Sequence, residues 1–355
     1  HRLGEVFSRT DEYGAENWRA RFEATAGASV NLPTAAEARR KLPPPDIKRP
    51  RESPSVILRR ITRQGVILLQ RNVRLLLADR RTLVMAVVQS VLIGGLMGYA
   101  FGDFGTGLER VNAQNALLLL LGLSAIWLGC NAASKEIVGE LAIYRREHDI
   151  NLSTAAFIGA KYLVSSVFTV LQLTVVYVLA TTLSSGIPGN RLEQFLLLST
   201  GALAGTAMGL VVSAFANTRD QATTIVPLAL VPQLILAGVL VPKLPDLAVA
   251  VAKVAVSGYW LIEAMKSVFA AEGPIQVINV HTGALIDMTT QPAARGAAIV
   301  SVQALAFLLI AYLVTLLRHG GRDRAARQWR PASGRHLAKR MEVRRNEDTQ
   351  PDLNI

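Results

Sequence analysis

Charged side chains crowd one short stretch of this chain: Glu136, Glu140, Arg145, Arg146 and Glu147, beside Lys135, within Ser134–His148. Apolar runs of about twenty residues flank the stretch on both sides, which holds it at the mouth of a membrane domain. Carboxylates followed by guanidiniums at this spacing suit a short helix that meets a soluble partner and transmits force. Other chemistry finds little support. The chain contains no Gly-Lys dipeptide, so a phosphate loop of the Walker A kind is absent and this polypeptide has no ATPase of its own. HExxH spacing and cysteine pairs for a metal are missing as well, so neither a catalytic residue nor a metal ligand is expected. The histidines, at 1, 148, 281, 319 and 336, stand apart from one another, and His281 with Asp287 has no recognisable nucleophile nearby. Cys130 lies in an apolar run and reads as a small buried residue.

The elements that must position the charged stretch are membrane helices. Of 355 residues, 51% are hydrophobic and the mean hydropathy is +0.32, too apolar for an ordinary soluble protein of this length. Six runs are long enough to cross a hydrocarbon core: 83–101, 115–133, 160–183, 194–216, 223–241 and 297–317. Pro227 and Pro232 predict a kink in the fifth. Of the 38 Lys and Arg, 31 fall in residues 1–81, in 318–345, and in the loops after the second and fourth spans. The positive-inside rule then places both termini in the cytoplasm, in a plasma (bacterial inner) membrane. The formal charge of +12 reflects topology and attraction to anionic lipid rather than nucleic-acid binding. Span interiors offer neutral polar groups such as Gln89, Ser124, Asn131, Thr174 and Gln233, whereas ion-coupled carriers keep carboxylates or histidines at that depth.

Composition divides the chain further. Residues 1–53 read as a cytoplasmic linker or the tail of an upstream domain. Residues 54–81 form an amphipathic helix, with Arg59, Arg60, Arg63, Arg71 and Arg74 on one side and Leu58, Ile61, Leu68, Leu69, Val73 and Leu76 on the other. Its arginines face lipid phosphates or an acidic partner. Residues 82–317 hold the six spans, with a coupling loop at 134–158 and an outer segment at 242–296 that reads as re-entrant or interfacial. Residues 318–355 form a basic cytoplasmic tail. Glycines recur every four residues at 94, 98 and 102 and at 201, 205 and 209, on faces that let helices approach closely, either within the chain or between copies.

Several motifs carry a family resemblance over about 55–320. The run Lys135-Glu136-Ile-Val-Gly-Glu140-Leu-Ala-Ile-Tyr144-Arg-Arg146-Glu147, continued by Asn151 to Lys161, resembles the segment between the second and third spans of type-2 ABC (ABC-2) exporter permeases of the ABCG (White) branch. Leu236-Ala-Gly238-Val-Leu-Val-Pro242, followed by Ser257, Tyr259, Glu263 and Ala264, resembles that branch after its fifth span. The opening, Phe7 to Trp18, is similar to the region that follows an ABC ATPase, which bacterial relatives fuse ahead of the permease, sometimes behind an FHA domain. The outer segment lacks the cysteines of eukaryotic relatives, and the basic tail is longer than the family pattern.

The resemblance implies an all-α integral membrane fold: six transmembrane helices, an amphipathic connecting helix at 54–81 and a coupling helix at Glu136, Glu140, Arg145, Arg146 and Glu147. Ser257, Tyr259 and Glu263 would belong to the outer re-entrant segment. Trp127, Asn131, Leu230, Gln233 and Leu234 would line the translocation path. Expected partners are an ABC nucleotide-binding domain carrying ATP and Mg, a second copy of the chain, and membrane lipids. The implied function is that of the permease half of an ATP-driven exporter, moving a lipid-like or amphipathic substrate by alternating access. An ion-coupled carrier or channel, and a membrane scaffold that recruits partners through its basic tail, are the alternatives.

Overall fold

The computed structural model describes residues 53–103, 108–184, 187–238, 245–270, 276–278, 285–287 and 292–319. The chain divides after Pro54, and the membrane domain occupies the part from Ser55 onward. The expected linker before Ser53, the tail after His319 and His281 lie outside the described residues.

Ten helices and one short hairpin make up the described part. Helix α1 (Pro54–Ala78) starts on a proline, a residue preorganised for a first helical turn. One residue, Asp79, separates it from α2 (Arg80–Ala100). The Asp79 carboxylate accepts from the Thr82 backbone N–H at 3.2 Å and from its hydroxyl at 2.7 Å, which closes the exposed N-terminus of α2. Then come α3 (Leu108–Ala133), a 3₁₀ turn (Val138–Glu140) and α4 (Leu141–Asp149). Helices α5 (Thr154–Leu183), α6 (Arg191–Phe215) and α7 (Arg219–Ile235) come next in the chain. Helices α8 (Asp246–Ala255) and α9 (Ser257–Phe269) meet at Val256. An antiparallel hairpin, β1 (Gln276–Ile278) with β2 (Leu285–Asp287), leads to α10 (Ala293–His319).

By length and composition α2, α3, α5, α6 and α10 can each cross a membrane. The fifth expected span differs. Helix α7 ends at Ile235 rather than 241, contains both prolines, and its 17 residues reach only ~25 Å against a hydrocarbon core of ~30 Å. Helices α8 and α9 together pass the same test but are bent by 90°, the geometry of a broken span or re-entrant loop.

The broken regions leave helix-end groups without intrahelical partners, and side chains from other helices meet them. Gln233 of α7 accepts from the Gly258 N–H at the start of α9 at 2.9 Å. The Trp260 indole donates to the Lys253 carbonyl at 2.8 Å, and Gln303 of α10 donates to the Val254 carbonyl at 3.1 Å, so the C-terminal end of α8 is closed from two sides. At the end of α6, the Arg318 guanidinium donates to the Ala214 and Phe215 carbonyls and to Asn217. The first arginine of the expected basic tail is thus a helix cap.

Helix α6 is the central post. Its glycine stripe is used within the chain: a Cβ on Gly205 would lie 2.2 Å from the Ile126 carbonyl oxygen of α3, and one on Gly209 would lie 2.4 Å from that of Cys130. Gly94 and Gly98 of α2 meet α5 in the same way, 2.7 Å from the Val176 carbonyl and 2.6 Å from Leu183 Cβ. A side chain at Gly205 must push α3 and α6 apart, and overpacking of this kind costs about 1–3 kcal/mol. At Gly95 a Cβ meets nothing within 4 Å, so alanine there gains up to about 1 kcal/mol of helix propensity. Gly205→Ala is therefore expected to lower the unfolding temperature in detergent and Gly95→Ala to raise it. Equal shifts in the two variants would remove the close-approach account.

Candidate functional site

Helix α3 runs into the charged stretch through a turn that two neighbours hold. The N–H groups of Ile137 and Val138 both donate to the Ser213 hydroxyl of α6, at 2.9 and 3.0 Å. Arg219, at the start of α7, donates to the Gly139 carbonyl at 3.4 Å, and its guanidinium fills the space that a side chain at 139 would need. Beyond α4 the chain turns at Asn151, whose φ of 103° is in the left-handed region. Gln64 of α1 straps that turn: it donates to the Asn151 carbonyl at 3.1 Å and accepts from the Ser153 N–H at 3.0 Å. Tyr144 of α4 is fully buried and shares a 2.8 Å hydrogen bond with Thr154, its ring packed 4.7 Å from that of Phe157. Burial raises its phenol above the ordinary pKa while the bond to Thr154 pulls the other way, so the hydroxyl stays protonated.

Within this frame sits a cluster of five charges. Lys161, two turns into α5 and only 3% exposed, donates to Glu136 at 2.8 Å and to Glu140 at 2.6 Å. Arg71 of α1 reaches Glu140 at 2.5 Å and Glu147 at 3.4 Å. Glu140 therefore bridges α1 and α5. Of the five residues expected to meet a soluble partner, the three glutamates turn into the bundle and clamp it, because two cations from neighbouring helices are within reach. Arg145 and Arg146 point outward, on an exposed face with Ile143 and the 79%-exposed Ile150.

The remaining sequence-derived residues divide in a similar way. On α1, Arg59, Arg63 and Arg74 are exposed, whereas Arg60 and Arg71 are half-buried and Arg71 serves the clamp. Trp127 and Asn131, one turn apart on α3, are exposed. Leu230 and Gln233 are buried inside the chain, Leu234 is half-buried, and Gln233 is spent on closing α9, so the exposed side of α7 is formed by Leu228, Val231 and Ile235 instead. Ser257 is buried at the α8–α9 joint, and Tyr259 stands edge-on to Trp260 with ring centres 5.4 Å apart. Glu263 pairs with Lys266 at 2.6 Å, and Lys266 is 2% exposed. The interior thus holds a charged pair that the sequence places in an outer loop: α9 folds back into the bundle and carries both residues with it.

Gln64 and Ser213 escape notice in the sequence, and Lys161 enters there only as the end of a motif, not as a partner of the glutamates. For Lys161 there was a signal, a lysine inside an apolar run, with Glu136 and Glu140 four residues apart and so able to face it together.

Five helices long and apolar enough to cross a membrane, with a further bent pair, describe a multi-pass helical membrane domain. Residues 63–269, more than half of the chain, match the ABC-2 type transporter family, and the chain belongs to that family. It is also 28% identical, over 247 residues, to the ABC transporter ATP-binding/permease protein Rv1747 of Mycobacterium tuberculosis (strain ATCC 25618 / H37Rv). That alignment covers 64% of this chain and 28% of the relative, so the chain spans well under a third of that protein's length.

The clamp has an energetic test. Removing one partner from a buried pair costs about 3–5 kcal/mol; the cost here is smaller because Glu136 is 37% exposed and Glu140 keeps Arg71. Lys161→Met is expected to lower unfolding stability by about 2–3 kcal/mol, and adding Glu140→Gln should cost less than its effect alone, a coupling within the 0.5–3 kcal/mol typical of contacting residues. Denaturant titration of the two single variants and the double variant measures this, and strict additivity would mean that the pair is energetically inert.

Proposed function

We propose that this chain is the membrane half of an ATP-driven exporter, and that a nucleotide-binding domain docks on the outward face of α4. The observation that carries the reading is the two-sidedness of α4. Its inner side is fastened to α1, α5 and α6 through Glu140, Tyr144 and the Ser213-held turn, while Arg145, Arg146, Ile143 and Ile150 face outward. A helix built in this way would pass a push from a soluble body directly to α1 and to the membrane helices α5 and α6. The relative's description as an ATP-binding/permease protein supports such a partner, which would supply the ATP and Mg chemistry. The concentration of lysine and arginine at this end supports a cytoplasmic orientation for it and for both termini. Two copies would enclose a path between the exposed faces of α3 and α7, where Leu120, Trp127, Leu228, Val231 and Ile235 are apolar and Asn131, Thr223 and Thr224 are polar, a mixture that suits an amphipathic cargo. Transport by alternating access follows if α4 tilts those faces.

The test needs no knowledge of cargo. A cysteine placed at the exposed Leu228 of α7, in the Cys130→Ala background, reports its own accessibility to a thiol reagent. In nanodiscs containing the complete transporter, nucleotide trapping should change that labelling rate several-fold. Arg146→Glu should abolish the change while membrane insertion and unfolding temperature hold. A nucleotide response that survives Arg146→Glu together with Ile143→Glu would overturn the docking assignment.

A further inference from the structure

Two cavities lie side by side at the α4 end of the bundle. One, of about 640 Å³, opens between α1, α2 and α5 and is walled by leucine, valine, alanine and phenylalanine, with Ser90 and Gln172 as its polar side chains. The other, of about 680 Å³, has polar walls that include Asn72, Lys135, Lys161, Ser165 and Arg219. Leu76, Ala86, Val164, Phe168 and Gln172 line both, so the two form one chamber with an apolar arm and a polar arm. The glycine contacts explain its shape. Helices α2 and α5 touch where Gly94 and Gly98 admit the α5 backbone, whereas Leu83 to Ser90 of α2 and Leu163 to Val175 of α5 line the cavity. On α5 the apolar wall runs from Leu163 to Val175, a rise of ~18 Å, close to the depth of one leaflet of a ~30 Å core.

The polar arm carries an unanswered side chain. Asn72 is 5% exposed, lines this arm, and neither its amide nitrogen nor its amide oxygen has a hydrogen-bond partner among the described residues. A buried amide in that state asks for a ligand that brings both an acceptor and a donor. The charges narrow the ligand further. The carboxylates of Glu136 and Glu140 are engaged by Lys161, and that of Asp79 accepts from Thr82 and is balanced by Arg81, which lines the same arm, while Lys135 and Arg219 have no carboxylate partner among the described residues. The chamber therefore offers cationic and amide groups to a headgroup and an apolar slot of one-leaflet depth to a chain.

We propose that this chamber binds one phospholipid with a hydroxylated anionic headgroup. The phosphate would lie towards Lys135 and Arg219, a headgroup oxygen and hydroxyl would satisfy Asn72, and an acyl chain would fill the arm between α2 and α5. Only the name of the leaflet, cytoplasmic, rests on the orientation proposed above. Binding is read without nucleotide, so a failure here is distinct from a failure of ATPase docking.

The experiment uses the full chain in phosphatidylcholine nanodiscs doped with phosphatidylglycerol that bears a diazirine on its acyl chain, with labelled peptides mapped by mass spectrometry. Label is expected to concentrate on 83–90 and 163–175. Val87→Trp and Val167→Trp, at exposed positions on the apolar arm where folding tolerates bulk, should each reduce it at least fivefold. Leu96→Trp, on the exposed face of α2 outside the chamber, should leave it unchanged. Asn72→Leu removes an unsatisfied amide and keeps an apolar volume, so a merely structural Asn72 would leave lipid labelling as it was. The proposal expects it to lose about tenfold of the preference for phosphatidylglycerol over an equivalent phosphatidylcholine probe. Millimolar inorganic phosphate is expected not to compete. Even labelling along all exposed helix faces, as annular lipid gives, would overturn the site. So would an unchanged headgroup preference in Asn72→Leu, or displacement of the probe by phosphate alone.

Discussion

A hydrocarbon solvent offers no water to a broken helix, and that constraint organises this domain from end to end. Several interruptions of the spans among the described residues are closed by a side chain brought from elsewhere in the sequence: Gln233 and Gln303 at the α8–α9 joint, Arg318 at the end of α6, Ser213 and Gln64 around α4. These are long-range bonds, with partners between 25 and 104 residues apart. They therefore form only when the whole bundle is assembled, and they tie irregular segments to the regular ones. The charged cluster extends the same rule to side chains. Lys161 and Lys266 are tolerated at 3% and 2% exposure because each has a carboxylate within 2.6 Å.

Glycine spacing and charge act at different depths. Where glycines line α2, α3 and α6, backbones meet almost directly, as at Gly129 of α3, whose Cβ would fall 2.2 Å from the Ala202 carbonyl of α6. Such contacts leave no slack and fix the crossing of α3 with α6. Nearer α4, α2 and α5 line a cavity instead of meeting, and ionic and amide groups form its polar arm.

Much of this was legible in the sequence. Length and hydropathy locate five of the spans to within a few residues, since a run of apolar residues has few alternatives once its backbone must bond to itself. The charged stretch was visible as well, because its composition contrasts so sharply with its flanks. What pattern alone does not give is direction. Glu136, Glu140 and Glu147 read as outward groups until Arg71 and Lys161, which lie 76 residues before Glu147 and 25 after Glu136, are placed beside them in space. Gln233 reads as a polar residue on a path until the start of α9 claims it. Helix α7 falls short of its expected span for a local reason: Leu236 is its C-cap and Gly238 adopts a φ of +79°, so an apolar run that continues to Val241 does not continue as helix to that point.

The strengths of the attachments around α4 argue for how it would work as a lever on the proposed reading. To α5 and α6 it is joined by buried groups: the Lys161–Glu140 pair, the Tyr144–Thr154 bond and the paired N–H donors to Ser213. Charge-assisted bonds removed from water are the strong members of their class, and Arg71 and Gln64 add α1 to the same body. Helix α7 is held differently. Its link to the coupling segment is the exposed 3.4 Å contact from Arg219 to the Gly139 carbonyl, long for a hydrogen bond and open to solvent. It also contains two prolines, each of which removes a backbone donor. A push on α4 would therefore carry α1, α5 and the inner end of α6 together, and the relative motion would appear at the α7 boundary. On the proposed reading that boundary is where the exposed faces of α3 and α7 would flank a path, so the weakest attachment would lie where an alternating gate needs it.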